Sequence, residues 1–167
     1  MASPGELLIE SCRRNNVDLL QDEVFSRETS LYSAPQNHLA IAKLINSTRT
    51  PLGESALHMA AKHGSYDVLD VLLDQEGVEI DHPEPRNGET PLHFAVRYTV
   101  EGGPQAVVDL LLDAGCDPRI RDKHGRKPVE LVGKDNSTLR DALLKAEVMA
   151  EAERGGGDTV VDDEDGE

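Results

Sequence analysis

Apolar and polar positions in this chain predict short helices arranged in pairs. Leu, Val and Ala recur at helical spacing over residues 56–73 and again over residues 91–113. Such spacing places the apolar side chains on one face of a helix. Polar segments containing Gly and Pro follow each pair and predict loops. A core made of aliphatic layers, with only 3% aromatic residues, favours stacked helices over a β-sandwich.

The helical pairs belong to a repeated sequence. GESALHMAA at 53–61 aligns with GETPLHFAV at 88–96, and VLDVLLD at 68–74 aligns with VVDLLLD at 107–113. These blocks resemble the ankyrin repeat, a unit of about 33 residues in which a turn, a T-P-L-H helix, a Gly and a second helix follow one another. The resemblance implies an all-α ankyrin-repeat solenoid.

We expect about four units including atypical ends, near residues 5–50, 51–86, 87–121 and 122–154. The first unit has Asn15 at the usual Gly position and an added helix over residues 37–46, with Asn37 as a possible cap. In the last unit Glu130 replaces the His of the motif. Gly155–Gly157 are expected to end the final helix, leaving residues 155–167 as a disordered acidic tail.

The same residues argue against catalysis. His58 and His93 stand at the position where the ankyrin His bonds within and between turns, so we interpret both as structural. Cys12 and Cys116 match small packed residues of the motif, and their separation fits neither a disulfide framework nor a zinc site. There is no P-loop, nucleophile elbow or dinucleotide-binding pattern. We therefore expect a non-enzymatic chain with no catalytic residue, metal or cofactor.

The sequence also shows no pattern typical of a targeting signal. The first residues form no secretory signal, and no apolar run is long enough for a membrane span. With few cysteines, this predicts a reducing compartment, the cytoplasm and nucleus. No membrane contact is expected.

Charge is distributed unevenly. The chain has 32 acidic and 17 basic residues, for a net charge of −15. The expected outer helices, within 16–25, 65–75 and 103–113, contain eight acids and no Lys or Arg. The positions that face the concave groove in ankyrin proteins are instead largely basic here, which predicts a mixed or basic groove. Six further acids, expected to steer a partner, lie in the tail: Asp158, Asp162, Asp163, Glu164, Asp165 and Glu167.

Partner contacts in this family involve the groove and the loops that project beside it. The resemblance therefore suggests a set of candidate binding residues, namely Arg13, Arg14, Leu52, Glu54, Lys62, His63, Arg86, Asn87, Glu89, Arg97, Tyr98, Lys123, His124 and Arg126.

The expected function is protein binding by a chain that is monomeric when free and does not contact nucleic acid directly. Within the family, the short array and acidic C-terminus resemble the fungal chaperone of a KH-domain ribosomal protein of the small subunit. That resemblance implies a role in ribosome biogenesis, shielding a basic client before assembly. The alternative is an adaptor or regulatory subunit, such as a transcription or proteasome-assembly factor, that uses the groove for another protein.

Overall fold

A computed structural model describes residues 2–26, 37–98 and 104–165 of the chain. Within these residues the structure is built from helices stacked in pairs, and the predicted all-α solenoid is confirmed. A single antiparallel bridge joins Arg49 and Ser55. The helices are α1 (Pro4–Arg14), a π-helix (Leu19–Phe25), α2 (Asn37–Ser47), α3 (Ala56–Lys62), α4 (Tyr66–Leu73), α5 (Pro91–Tyr98), α6 (Pro104–Asp113), a 3-10 helix (Pro128–Leu131) and α7 (Ser137–Asp165).

The core is a layer of aliphatic side chains shared between neighbouring units. The inner helices α1, α3 and α5 pack against one another in sequence, and the 3-10 helix packs against α5. Leu57 and Leu92 occupy equivalent positions and are buried. Ala60 and Ala95 are also fully buried, and their small side chains let adjacent helices approach closely. Burying each leucine contributes about 1.5–3 kcal/mol to the stability of the fold. An isolated unit would leave these side chains exposed, so the stacking of units supplies this stability.

Two buried histidines connect successive units. His58 Nδ1 accepts a hydrogen bond from the Ser55 backbone N–H at 3.2 Å, and Nε2 bonds the Glu89 carbonyl of the next unit at 2.7 Å. His93 repeats this arrangement, reaching the Arg126 carbonyl at 2.9 Å. Burial lowers the pKa of both rings, that of His58 to about 4. Both histidines are therefore neutral, and their hydrogen bonds join successive units, in agreement with the structural role expected from the sequence.

The last unit departs from this pattern where Glu130 replaces the histidine. Its carboxylate accepts a hydrogen bond from the Lys127 backbone N–H at 2.9 Å, as the His ring does in the preceding units. The first helix of this unit is only one 3-10 turn, Pro128–Leu131.

The added helix predicted over 37–46 is present as α2. Ile41 and Ile45 are buried, and the helix packs against α1. Asn46 joins it to the second unit, because its amide donates to the Gly77 carbonyl and accepts from the Glu79 N–H, both at 2.8 Å. The insertion thus bridges the first two units and forms part of the scaffold.

The end of α7 corrects one expectation. The helix continues through Gly155–Gly157 to Asp165, although these glycines were predicted to end it. Glycine costs a helix about 1 kcal/mol but has no side chain that prevents helical backbone angles. The disorder of the acidic tail in solution stays a prediction. None of the helices in the described ranges combines the length and apolarity that a membrane span requires.

Candidate protein-binding surface

Three loops project from the same side of the stack, each just before an inner helix or the 3-10 helix. We call them finger 1 (49–55), finger 2 (84–90) and finger 3 (122–127). Each is closed by a backbone hydrogen bond of 2.9 Å across its base. In finger 1, Gly53 has φ +87°, and an added Cβ would lie 2.4 Å from Pro85 of finger 2. The fingers are therefore closely packed as well as individually closed.

Buried carboxylates shape the second finger. Glu84 accepts hydrogen bonds from the backbone N–H groups of Arg86 at 2.8 Å and Asn87 at 2.7 Å. A third bond comes from the N–H of Glu89 at 3.2 Å. Burial opposes the charge on Glu84, but these donors hold its pKa below the ordinary value.

Asp122 has the same role in the third finger. It accepts from the His124 N–H at 2.8 Å and the Arg126 N–H at 3.0 Å. Burial by itself would raise the pKa of Asp122, but these donors hold it below the ordinary value. Sequence reasoning did not assign roles to Glu84 and Asp122. The available signal was an acidic residue at the start of a turn that contains Gly.

The groove cations are paired with carboxylates. Lys62 Nζ lies 3.6 Å from Glu54 Oε1, and Arg97 bonds the Glu89 carboxylate. In each case the base follows the acid by eight residues and folds back over it. Glu54 is 5% exposed and Glu89 is fully buried.

These pairs bear on two expectations. Glu54 and Glu89 were predicted as partner contacts, and in the structure both residues are buried. The groove was predicted to be mixed or basic, and the pairing of its central cations with carboxylates makes it mixed. At the first unit, Glu10 similarly pairs with Arg14 and lies 4.0 Å from Arg13 Nη1. The positive charge of the groove is therefore much smaller than its basic residues suggest.

The remaining candidates differ in accessibility. Leu52 is 48% exposed at the tip of finger 1. Lys123 bonds the Pro85 carbonyl, and its backbone N–H donates to the Asn87 carbonyl at 2.8 Å, so it also joins fingers 2 and 3. Arg126 pairs with Asp122 at 3.2 Å. The exposed candidates are Arg13, Arg14, Leu52, His63, Arg86, Arg97, Lys123 and His124, whereas Lys62, Asn87 and Arg126 are half-buried.

Some predicted contacts cannot be placed by their side chains. The side chains of Tyr98 and of Asp158, Asp162, Asp163, Glu164 and Asp165 lie outside the described residues, as does the whole of Glu167.

An open depression of about 540 Å³ lies between α1 and finger 1. Ile9 and Pro51 contribute apolar surface, while Glu6, Glu10 and Arg49 contribute charge. All of the residues that line this depression come from a single chain. It offers space for a partner side chain at the first unit.

The outer face is acidic. The exposed acids at the π-helix are Asp22 and the preceding Asp18. On α4 and directly after it they are Asp70 and Asp74, and on α6 they are Asp109 and Asp113. Glu23 is half-buried, and Asp67 accepts a hydrogen bond from Asn15 at 2.9 Å.

The described residues also include side chains of the metal-ligating and nucleophilic types. No group of three His, Cys, Asp or Glu side chains there could hold a metal ion. Cys12 and Cys116 are buried and unbridged. Burial raises the pKa of Cys12 to about 12 and that of Cys116 still higher, so neither is a thiolate at neutral pH.

The repeated architecture agrees with comparison to known families. The family model that describes ankyrin repeats, in three copies, matches residues 8–122 of this sequence. The chain belongs to the ankyrin-repeat family. Ankyrin repeats are generally non-enzymatic modules that bind other proteins, so the chain is assigned to protein binding at this level.

Individual proteins are similar to this chain over different fractions of their length. An ankyrin repeat-containing protein of Saccharomyces cerevisiae is 44% identical over 170 residues, covering 99% of this chain and 88% of the relative. Mouse NF-kappa-B inhibitor alpha is 29% identical, covering 83% of this chain and 45% of the relative. The human inhibitor of Bruton tyrosine kinase is 30% identical over 83% of this chain but only 10% of its own length. The last two similarities thus involve only parts of larger proteins.

Proposed function

We propose that this chain shields a basic protein client, and that the client is a KH-domain ribosomal protein of the small subunit before its assembly. The observation that carries the proposal is the unequal compensation of charge. Lys62 and Arg97 of the groove are paired with Glu54 and Glu89, whereas the outer helices carry acids without any Lys or Arg. Negative charge is therefore available to a partner, and much of the positive charge is not.

A ribosomal protein outside the ribosome exposes the basic surface that later contacts RNA. An acidic partner would attract this surface over several ångströms of solvent and prevent contact with other RNA. The exposed Leu52 and the depression beside Ile9 supply the apolar and shape-dependent contacts that charge alone does not provide. The acidic tail increases the rate of encounter. Escort of such a client would place the chain in the cytoplasm and nucleus, which imaging of a tagged chain tests.

The steering role is tested by measuring association with the purified ribosomal protein over a range of salt concentrations. A chain ending at Arg154 should associate more slowly and show a weaker salt dependence than the full chain. The matched control keeps the tail length but replaces its Asp and Glu residues with Asn and Gln, and it should behave like the truncated chain. Equal rates and salt slopes for all three chains would show that the tail does not steer.

Contact by the fingers is tested with Leu52→Ser, because this side chain is 48% exposed at a fingertip. We expect affinity for the ribosomal protein to fall about fivefold or more. Leu39→Ser on α2, where the leucine is 73% exposed, is the matched control and should bind as the unmodified chain does. Failure of the unmodified chain to bind the ribosomal protein at any salt concentration would reject the client.

An adaptor or regulatory subunit is the second candidate. It is favoured by the similarity to two proteins that are named as inhibitors of other proteins, NF-kappa-B inhibitor alpha and the inhibitor of Bruton tyrosine kinase. Affinity purification from cells separates the two functions, because enrichment of the ribosomal protein is expected only for the chaperone. Recovery of a transcription or proteasome-assembly factor without it would favour the adaptor.

A further inference from the structure

The tips of the three fingers form a continuous surface, which we call the fingertip strip. Its members are the exposed residues at the tips of the loops, namely Pro51 and Leu52 in finger 1, Pro85 and Arg86 in finger 2, and Lys123 and His124 in finger 3. An added Cβ at Gly53 would clash with the ring of Pro85, and Lys123 Nζ bonds the Pro85 carbonyl. Neighbouring fingertips are therefore in contact along the strip.

The negative charges of the fingers are not available at these tips. All four acidic residues within the fingers are buried, with at most 6% of each residue exposed, namely Glu54, Glu84, Glu89 and Asp122. Three of them pair with a cation of the groove or of finger 3, and Glu84 accepts hydrogen bonds from the backbone N–H groups of its own loop. A partner at the fingertips therefore meets none of these carboxylates.

Positive charge remains at the surface of the fingers. Arg86 and Lys123 are exposed, and Arg49 at the start of finger 1 is half-buried. Within the described ranges, none of these three cations forms an ion pair with a carboxylate. Once the paired residues of the fingers are set aside, three cations stand against one buried carboxylate, Glu84. The strip is therefore positive, although the net charge of the chain is −15.

The strip is apolar at one end and basic at the other. In finger 1, the side chain of Leu52 is apolar and the residue is 48% exposed. Glu6 and Glu10 of α1 line the depression beside this finger, so an acidic residue of a partner is disfavoured there by repulsion. Arg86 and Lys123 lie on the following two fingers. A bound segment is therefore expected to place an apolar side chain on finger 1 and its acids on fingers 2 and 3.

The spacing of the fingers sets the length of such a segment. Fingers 1, 2 and 3 directly precede α3, α5 and the 3-10 helix, and these three elements pack one after another. Packed helices lie about 8–10 Å apart, so fingers 1 and 3 are separated by about 20 Å. An extended chain rises about 3.3 Å per residue, so about six to eight residues cross the strip.

We propose that the fingertip strip binds a short segment of the partner protein that has an apolar residue near one end and Asp or Glu residues near the other. The apolar side chain packs on Leu52, and the carboxylates pair with Arg86 and Lys123, since a guanidinium can bind a carboxylate through two parallel N–H bonds. The inference deepens the proposed function and rests on it in one respect, because Leu52 contacts the partner in both. It adds that the fingers contact an acidic part of that protein, whereas the outer helices hold its basic surface.

Amide NMR on the full chain tests the location of binding. The probe is a synthetic peptide of about eight residues, long enough to cross the strip, with Leu at one end and Glu at the other. We expect the peptide to shift the amide signals of Leu52, Arg86 and Lys123 and to leave that of Lys145, which is exposed on α7, in place. The same peptide with Gln in place of Glu should bind about fivefold more weakly. With Lys in place of Glu, it should not shift the Arg86 and Lys123 signals.

A charge reversal tests the basic end of the strip. Arg86→Glu should weaken binding of the Glu peptide about fivefold or more, because it replaces an attraction with a repulsion. The backbone N–H of Arg86 bonds Glu84, so the side-chain substitution leaves the closure of finger 2 intact. Lys145→Glu is the matched control, because it changes the net charge by the same amount at an exposed site on α7 and should bind as the unmodified chain does.

A second substitution tests the apolar end. Leu52→Ser should weaken binding of the Glu peptide about fivefold or more. Leu39→Ser is its control, because Leu39 is 73% exposed on α2 and lies outside the strip. Circular dichroism and urea unfolding establish that the substituted chains keep the native fold.

Several results would overturn the inference. If the peptide does not shift the fingertip signals, or if Arg86→Glu and Lys145→Glu lose equal affinity, the strip is not the site. Equal binding of the Glu and Gln peptides would show that the strip does not select acids. Fingertip signals that change on dilution without peptide would show that a second copy of this chain covers the strip. Peptide binding that appears only when the Asp and Glu residues of 155–167 are replaced with Asn and Gln would show that the chain's own tail covers it.

The outcome is separable from that of the proposed client. If the ribosomal protein binds but the peptide leaves the fingertip signals in place, the inference is rejected and the client stands. If the ribosomal protein fails to bind while the peptide shifts the fingertip signals and Arg86→Glu weakens its binding, the inference stands and the client is rejected.

Discussion

Protonation of His58 should destabilise the fold below neutral pH. The ring is fully buried, its Nδ1 accepts from the Ser55 N–H, and its Nε2 bonds the Glu89 carbonyl. A proton on Nδ1 would convert this acceptor into a donor facing another donor and would bury a charge. Burial accordingly lowers the native pKa to about 4, against 6.5 for an ordinary histidine.

The sign and magnitude follow from the two pKa values. The unfolded chain binds a proton more readily than the native chain, so this contribution to stability is complete above pH 6.5 and is lost as the pH falls towards about 4. The whole difference corresponds to about 3 kcal/mol. Between about pH 7 and about pH 5, His58 alone should remove about 2 kcal/mol from the free energy of unfolding.

Urea unfolding followed by circular dichroism over this pH range measures the effect. His58→Gln removes the titrating ring, so its free energy of unfolding should fall by about 2 kcal/mol less than that of the unmodified chain over the same interval. His124→Gln is the matched control, because His124 is exposed at the tip of finger 3. Identical pH dependence in the unmodified chain and His58→Gln would refute the reasoning. So would an NMR titration in which native His58 protonates near its ordinary pKa.

Two further substitutions test the fingers and groove by chemical denaturation. Arg97→Ala should cost about 3 kcal/mol, because it leaves the fully buried Glu89 without its bonded cation. Arg13→Ala, at an exposed pair, should cost less than about 1 kcal/mol, and equal costs would contradict the role of burial. Gly53→Ala should destabilise the chain by more than about 1 kcal/mol, because φ is +87° and the new Cβ meets a proline ring at 2.4 Å. Gly133→Ala, with no atom within 4 Å of the added Cβ, should be nearly neutral, and a comparable loss at both positions would oppose this explanation.

The fold was largely predictable because the repeat encodes the same local structure more than once. The Leu57 and Leu92 motifs predicted the inner helices, and His58 and His93 predicted the bonds between units. The inserted helix was also found from its apolar pattern. Its anchoring through Asn46 was not, because those hydrogen bonds join residues more than 30 positions apart.

The candidate surface was less predictable, since accessibility depends on residues from different parts of a unit. Glu54 and Glu89 lie in the finger loops, and the sequence offered no measure of their burial. The base eight residues later covers each carboxylate once the finger folds against the inner helix. The same contacts reduce the positive charge that a count of groove residues predicted.

The sequence by itself determined the repeated helical pairs, the structural role of the two histidines and the excess of acids on the outer helices. These features depend on local spacing and residue chemistry, which are fixed along the chain. Only the tertiary structure decided which charges compensate one another and where apolar surface remains open. Both properties depend on how separate segments fold together. The pairing of Arg97 with Glu89 forms when finger 2 folds against α5, and the fingertip strip forms when neighbouring fingers pack against one another.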